Sequence, residues 1–371
     1  MKKQLMTTTA LVAAGVIASS GAALGASKPK LSLGGYFEAI LGASDQDEKA
    51  SGIGNRVGVD VQQDSEIFFK GSVKLDNGIK IRTRVELEAQ SKNSSDTIDE
   101  AYMAISGKFG EIRIGSEDNV AHLMTTRVSG SWATGVGQNL SFDVPDWIER
   151  PTGHGVSSVN RLDLGDADAE KISYFTPRFS GLQLGLTYTP SFNEGENGTP
   201  EKTSSGNHHG FSAGVSYKAK MGGAKVDAAA GYSRAKPGST SQNWSEPQGM
   251  AVGAKVTFGK ITVAAGYQRE WNLESDQTSV TNDGQTALDL GIQYNLGKNK
   301  FSLGYNTGES KGTVAAGKDE YQSTMLSYRR TLGPGVQYRL NVMYGDWEGE
   351  DVGSADDNNG YAITTSVRLA F

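Results

Sequence analysis

Between Glu117 and Asp168 the chain gathers Glu117, Asp118, Asp143, Asp146, Glu149, Asp163, Asp166 and Asp168 around Leu123, Trp132, Leu140, Phe142, Trp147 and Ile148. Carboxylates can move protons, ligate a metal or act as fixed charge. Proton transfer in a covalent mechanism lacks partners here, because His154, His208 and His209 sit in loops with no plausible Ser nucleophile, the chain has no Cys, and no phosphate- or dinucleotide-binding loop occurs. Metal binding has one candidate group, Asp163, Asp166, Asp168 and Glu170, whose oxygen density suits Ca²⁺ although its spacing matches no EF-hand. Fixed charge suits the rest. The segment has too many aromatic anchors for a disordered linker, so we expect a folded loop that packs on a wall and presents carboxylates.

The opposite charges lie earlier. In Ile79 to Ala89, Ile79, Ile81, Val85 and Leu87 share one parity, and Lys80, Arg82, Arg84, Glu86 and Glu88 the other. Period two is the signature of a strand with one apolar and one wet face. The run before it, Arg56 to Leu75, alternates in the same way and turns at Asp76-Asn77-Gly78, a strong hairpin signal because type I′ turns need positive φ. Alternating runs recur along the chain: five precede the acidic stretch and eleven follow it, from Lys171–Pro177 to Gly360–Phe371. Short turns such as Gly259-Lys260 and Gly297-Lys298-Asn299 alternate with long polar loops such as Phe192 to His209 and Asn272 to Gln285. Short turns at one end and long loops at the other are the habit of transmembrane β-barrels. The expected fold is all-β, a 16-stranded antiparallel transmembrane barrel whose third external loop, 117–168, folds inward.

The composition agrees with this reading. The chain has 371 residues, 48 Gly, 14 Tyr and no Cys. No apolar run after the N-terminus is long enough for a membrane helix, and barrel strands escape hydropathy windows. A net charge of −6 and a pI near 5.4 argue against nucleic acid as a partner. Lys2, Lys3, the apolar stretch Leu11 to Ile17 and the small residues to Ala26 give 1–26 the pattern of a cleaved secretory signal, with the barrel over 27–371. Tyr188, Tyr217, Tyr232, Tyr267, Tyr294, Tyr305, Tyr328, Tyr338, Tyr344 and Tyr361 fall on the apolar parity, as in the aromatic girdles of membrane–water boundaries. The first five strands carry none. Leu31, Leu33, Gly35, Ala39, Ala101, Met103 and Ile105 stand there instead, so that side is expected to pack on other subunits.

Three stretches carry a resemblance: Leu31-Ser-Leu-Gly-Gly-Tyr-Phe, Phe69-Lys-Gly-Ser-Val-Lys-Leu-Asp-Asn-Gly, and Ala101-Tyr-Met-Ala-Ile-Ser-Gly-Lys-Phe-Gly-Glu-Ile-Arg-Ile-Gly. With the terminal Phe371, they resemble the general diffusion porins of Gram-negative bacteria, most of all the alphaproteobacterial type. The resemblance implies an outer-membrane homotrimer of water-filled channels, each narrowed by its third loop, in contact with lipid and lipopolysaccharide. The last strand, ending at Phe371, would engage the barrel-assembly machinery. The family often has a basic residue where this chain has Ser116. Parity makes Arg82, Arg84 and Arg113 the best candidates for a basic constriction wall. Glu117, Asp118, Asp143, Asp146 and Glu149 are the candidates for the acidic loop facing it. No cofactor is expected beyond the Ca²⁺ candidate group. The expected function is passive diffusion of ions and small hydrophilic solutes with weak cation preference. The alternatives are a sugar- or anion-specific porin, against which the inward aromatics Tyr36, Tyr102 and Tyr321 look scattered, and a secreted soluble β-protein such as an adhesin.

Overall fold

The computed structural model describes residues 28–47, 58–89, 98–151, 154, 162, 164–167, 169–192, 206–238, 245–275, 280–311, 317–349 and 357–371. The 1–26 segment lies outside them. Sixteen strands pair antiparallel with their chain neighbours and close into a barrel, β16 returning to β1. They are β1 (Lys30–Gln46), β2 (Val59–Lys74), β3 (Lys80–Glu88), β4 (Ile98–Gly107), β5 (Gly110–Ser116), β6 (Glu170–Phe175), β7 (Leu182–Ser191) and β8 (His208–Met221). The second half comprises β9 (Ala224–Lys236), β10 (Gln248–Phe258), β11 (Ile261–Ser275), β12 (Val280–Leu296), β13 (Asn299–Lys311), β14 (Asp319–Gly333), β15 (Val336–Glu348) and β16 (Asn358–Ala370). Closure reaches the last residue: Phe371 N–H donates to the Gly35 carbonyl and Gly35 N–H to the Phe371 carbonyl, each at 3.0 Å. A closed barrel leaves no edge strand, so every ladder group in the bilayer can find a partner.

The period-two pattern sorts the faces as expected. Leu182, Leu184 and Leu186 of β7, Leu288, Leu290 and Ile292 of β12, and Ile363, Val367 and Leu369 of β16 are exposed on the outside. Their neighbours Thr187, Asp289, Thr364 and Ser366 are buried within. Outward aromatics meet in pairs, Tyr344 with Tyr361 at 4.8 Å between ring centroids and Phe301 with Tyr328 at 5.1 Å. The turn at Asn77-Gly78 forms as the dipeptide requires, with Gly78 at φ +85°.

One loop expectation fails. The stretch from Asn272 to Gln285 is not all loop, because β11 runs to Ser275 and β12 begins at Val280. The ladder there shifts register between Trp271 and Glu274 and again before Ser275. A β-bulge turns side chains off the alternating pattern, and this stretch is polar on both faces. It therefore carried no period-two signal although it pairs.

Inside the barrel, the segment after β5 folds into three short helices joined by turns: α1 (Val120–Thr125), a 3₁₀ turn (Thr126–Val128), α2 (Gly130–Thr134) and α3 (Leu140–Trp147). Their apolar anchors share the interior with side chains of the wall. Val144, Trp147 and Ile148 pack with Ile40, Tyr321, Met325, Met343 and Trp347 of the wall. Val120, Met124 and Val128 pack with Phe175 and Ala229.

Candidate functional site

The loop is tied at its root. Asn119 caps α1, its Oδ1 accepting from the amides of Ala121 at 2.9 Å and His122 at 3.1 Å. Its Nδ2 donates to Asp166 Oδ1 at 2.8 Å and to the Leu162 carbonyl at 3.1 Å. Thr189 on β7 donates to the other Asp166 oxygen at 2.8 Å. Lys171 closes the knot. Its buried ammonium donates to the carbonyls of Asp166 at 3.0 Å, Ala167 at 2.5 Å, Ala169 at 2.7 Å and Glu117. Both ends of the loop thus meet on one internal cation. This is where the sequence suggested Ca²⁺. Asp166 spends both oxygens on Asn119 and Thr189, Glu170 is exposed, and Asp163 and Asp168 lie outside the described residues. Among the described residues no group of three or more His, Cys, Asp or Glu side chains is placed to hold a metal.

From its root the loop follows the wall round. α1 rests on β7–β10, α2 on β10–β13, and α3 on β13–β15 and β1. Beneath α1 and α2 the wall carries rows of glycine. Gly185, Gly214 and Gly231 are register partners on β7, β8 and β9, and Gly291 and Gly304 on β12 and β13. A Cβ at Gly231 would lie 2.8 Å from the Ala121 Cβ, and one at Gly291 2.7 Å from the Gly130 carbonyl. Real Cβ atoms do not approach so closely, so backbone-to-backbone seating depends on these glycines. Between them, short wall side chains accept from loop amides: Thr187 from Val120 at 3.0 Å, Asp289 from Ser131 at 2.8 Å, Ser302 from Val136 at 3.1 Å and Asn341 from Gln138 at 3.3 Å.

Across the lumen stand β2–β5 with the expected basic side chains. Arg82 pairs with Glu111. Arg113 pairs with Glu111 at 2.7 Å and with Glu117. Arg84 pairs with Glu86. Arg82, Arg84 and Arg113 line one cavity of about 360 Å³ with Lys70, Ser32 and Tyr102. Of the five loop carboxylates, the structure brings Glu117 to this cluster. Asp118 meets His122 at 3.3 Å on the loop itself. Asp146 is exposed at the outer end of β2, where Gln62 donates to its carbonyl at 3.4 Å. Glu149 sits at the rim between β1 and β16, its amide donating to Gln46 at 2.9 Å and its carbonyl accepting from Asn358 at 2.7 Å. The side chain of Asp143 lies outside the described residues. The arginines are therefore matched mainly by wall carboxylates, Glu86 and Glu111, rather than by the loop.

Sequence reasoning missed Lys171, Asn119 and the glycine belt. The belt had one readable signal, glycine recurring on the lumenal parity of β7–β13, which has no meaning until a segment is known to lie against it.

The sequence profile of the Gram-negative porin family matches residues 7–366. The chain belongs to the Gram-negative porins. Among curated porin relatives it is 25% identical over 270 residues to a monosaccharide porin of Halomonas sp and to the major outer membrane protein of Halomonas elongata. Those alignments cover 72% of this chain and 55% of each relative, so the chain spans about half the length of the curated relatives it matches. Solved porins share the fold. An anion-selective porin from Comamonas acidovorans superposes with a TM-score of 0.63 at 15% identity, covering 93% of this porin and 100% of the other. OmpT of Vibrio cholerae in its trimer form gives 0.57 at 10% identity with the same coverages. Family and fold are those of a channel rather than an enzyme.

Proposed function

We infer that this porin is an outer-membrane pore for passive diffusion of ions and small hydrophilic solutes, with a weak preference for cations. The observation that carries the reading is a closed barrel whose inner loop lies along β7–β15 and β1, opposite the charged wall of β2–β5. Size exclusion would come from the space between loop and wall, and charge bias from the ionisable rows that line it. Net acidity supports the cation preference. Arg82, Arg84, Arg113 and Glu117 are the constriction residues this reading favours; Asp118, Asp146 and Glu149 would act as outer-vestibule charge.

The reading extends to assembly. The outer face of β1–β5 exposes Leu31, Leu33, Phe37, Val61, Phe69 and Met103 without tyrosines, which suits packing against two further copies. A cleaved signal over 1–26, contact with lipid and lipopolysaccharide, and recognition of the strand ending at Phe371 by the assembly machinery complete it. Purified protein in a planar bilayer under a KCl gradient tests the core. Conductance closing in three equal steps with a cation-signed reversal potential is expected. Failure of folded protein to conduct would refute the channel. The names of the relatives favour a second reading, a sugar- or anion-specific pore. Block of the KCl current by a monosaccharide, or an anion-signed reversal potential, would favour that reading instead.

A further inference from the structure

The lumenal side chains of β1–β5 are layered by sign. Short turns such as 76–78 mark the periplasmic end, so each strand can be read from outside inward. Lumenal β2 reads Asp60, Asp64, Glu66, then Phe68, then Lys70 and Lys74; β3 reads Glu88 and Glu86, then Arg84, Arg82 and Lys80. On β4 Glu100 precedes Tyr102, on β1 Glu38 precedes Tyr36, and at β5 Glu117 precedes Arg113, with Glu111 the one acid on the basic side. The aromatic residues between the rows form a layer of their own. Tyr36 and Phe68 lie 6.3 Å apart between centroids.

Each ring carries a cation on its face. Lys70 and Arg84 both fold back over Phe68, at 4.8 and 4.6 Å from its centroid. Arg368 lies 3.4 Å from the centroid of Tyr36, whose hydroxyl donates to Glu66 at 2.8 Å and Asp64 at 3.0 Å. Arg113 lies 5.5 Å from Tyr102. Along the backbone Glu66 and Lys70 are about 13 Å apart at the rise of an extended strand. With the cations folded over the ring, the rows face each other across a single ring.

Resting on the channel reading, we propose that this wall is a subsite for small zwitterions, free amino acids and dipeptides, which pass with the ammonium toward the outer carboxylates and the carboxylate toward the inner cations. A solute of one sign is drawn to one row and opposed by the other. A neutral solute gains from neither. A zwitterion oriented along the pore gains from both as its middle passes the layer of Tyr36, Phe68 and Tyr102. Charge rows on a low-dielectric wall focus the field and raise the local concentration of the matching solute.

The test is liposome swelling with four probes of nearly one size: glycylglycine, uncharged N-acetylglycinamide, anionic N-acetylglycine and cationic glycylglycinamide. Glycylglycine should enter about threefold faster than N-acetylglycinamide, since each pole contributes no more than a solvent-exposed ion pair. Lys70→Gln with Lys74→Gln, and separately Glu66→Gln with Glu86→Gln, should each bring that ratio close to one while KCl conductance persists. Equal entry of glycylglycine and the neutral probe, fastest entry of either singly charged probe, or an advantage that survives both pairs of substitutions would overturn the proposal. A folded protein that conducts no KCl would overturn the channel reading and the subsite with it.

Discussion

Replacing Lys171 by Met tests whether one internal cation holds the loop. Met keeps most of the length and volume and removes the charge. Four carbonyls then lose a donor, but Asp166 keeps a second one, the Ala169 amide at 2.9 Å. The three remaining charge-assisted bonds are worth at least about 1.5 kcal/mol each. The lysine no longer bears its desolvation cost, which offsets part of the loss. A net cost of about 4 kcal/mol at the loop root follows, which raises the detached fraction of the loop about a thousandfold. The substitution leaves the Lys171 backbone in its β5–β6 ladder opposite Gly115, so the heat-modifiable gel shift should survive while open-channel noise rises and the loop becomes sensitive to added protease. A Lys171→Met channel as quiet and as protease-resistant as the parent would refute the reasoning, since the carbonyls would then have found donors without the lysine.

Further perturbations test other contacts. Gly231→Leu should lower single-channel conductance by lifting α1 off the wall into the lumen, and Gly291→Leu should do the same under α2; unchanged conductance in both would mean the loop is not seated on the belt. Arg82→Gln combined with Arg113→Gln should shift the reversal potential toward cations, because Glu111 and Glu117 lose their partners; a shift toward anions would refute the pairing. His154, buried with Nε2 at 3.2 Å from the Glu320 carbonyl and 3.3 Å from that of Glu348, has its pKa lowered by burial, against a smaller opposing pull from Asp319. Its ring stays neutral in the fold where the free chain is already protonated, so the stability present above about pH 6.5 is lost as pH falls below it. Channel closures at the loop rim should therefore grow more frequent from pH 7.5 to pH 5, and less so in His154→Asn. Thermal melting should be indifferent to EDTA, given where the Asp166 oxygens are engaged.

Much of the barrel was legible because the bilayer enforces period two wherever a strand crosses it. Ile79 to Ala89 and Tyr361 to Phe371 needed no tertiary information. The pattern failed at Asn272 to Gln285, where the strands leave the membrane and the constraint ends. Within the candidate site, parity put Arg82, Arg84 and Arg113 on the lumenal face, yet it could not say what they would meet. Their partners Glu86 and Glu111 stand on the same strands, in plain view, but height and side-chain direction select them over Asp146 and Glu149. Lys171 was hidden for a different reason. It is an ordinary lumenal lysine by pattern, and its role comes from carbonyls of a distant stretch that only folding delivers. Phe68, an aromatic residue on the wet parity of β2, is the ring under Lys70 and Arg84.

The glycine belt has a consequence for how substitutions are tolerated. Asp118, Asp146 and Glu149 stand on a segment gripped by its backbone, so exchanging them should alter transport while leaving architecture alone. The glycine positions behind the loop have the reverse property, since almost any side chain at them is one too many. A comprehensive substitution survey would then show its most intolerant positions on the stretch of barrel with the least chemistry, and its most permissive ones on the segment that sets the filter. Selectivity could diversify by changing one surface while the other stays bare.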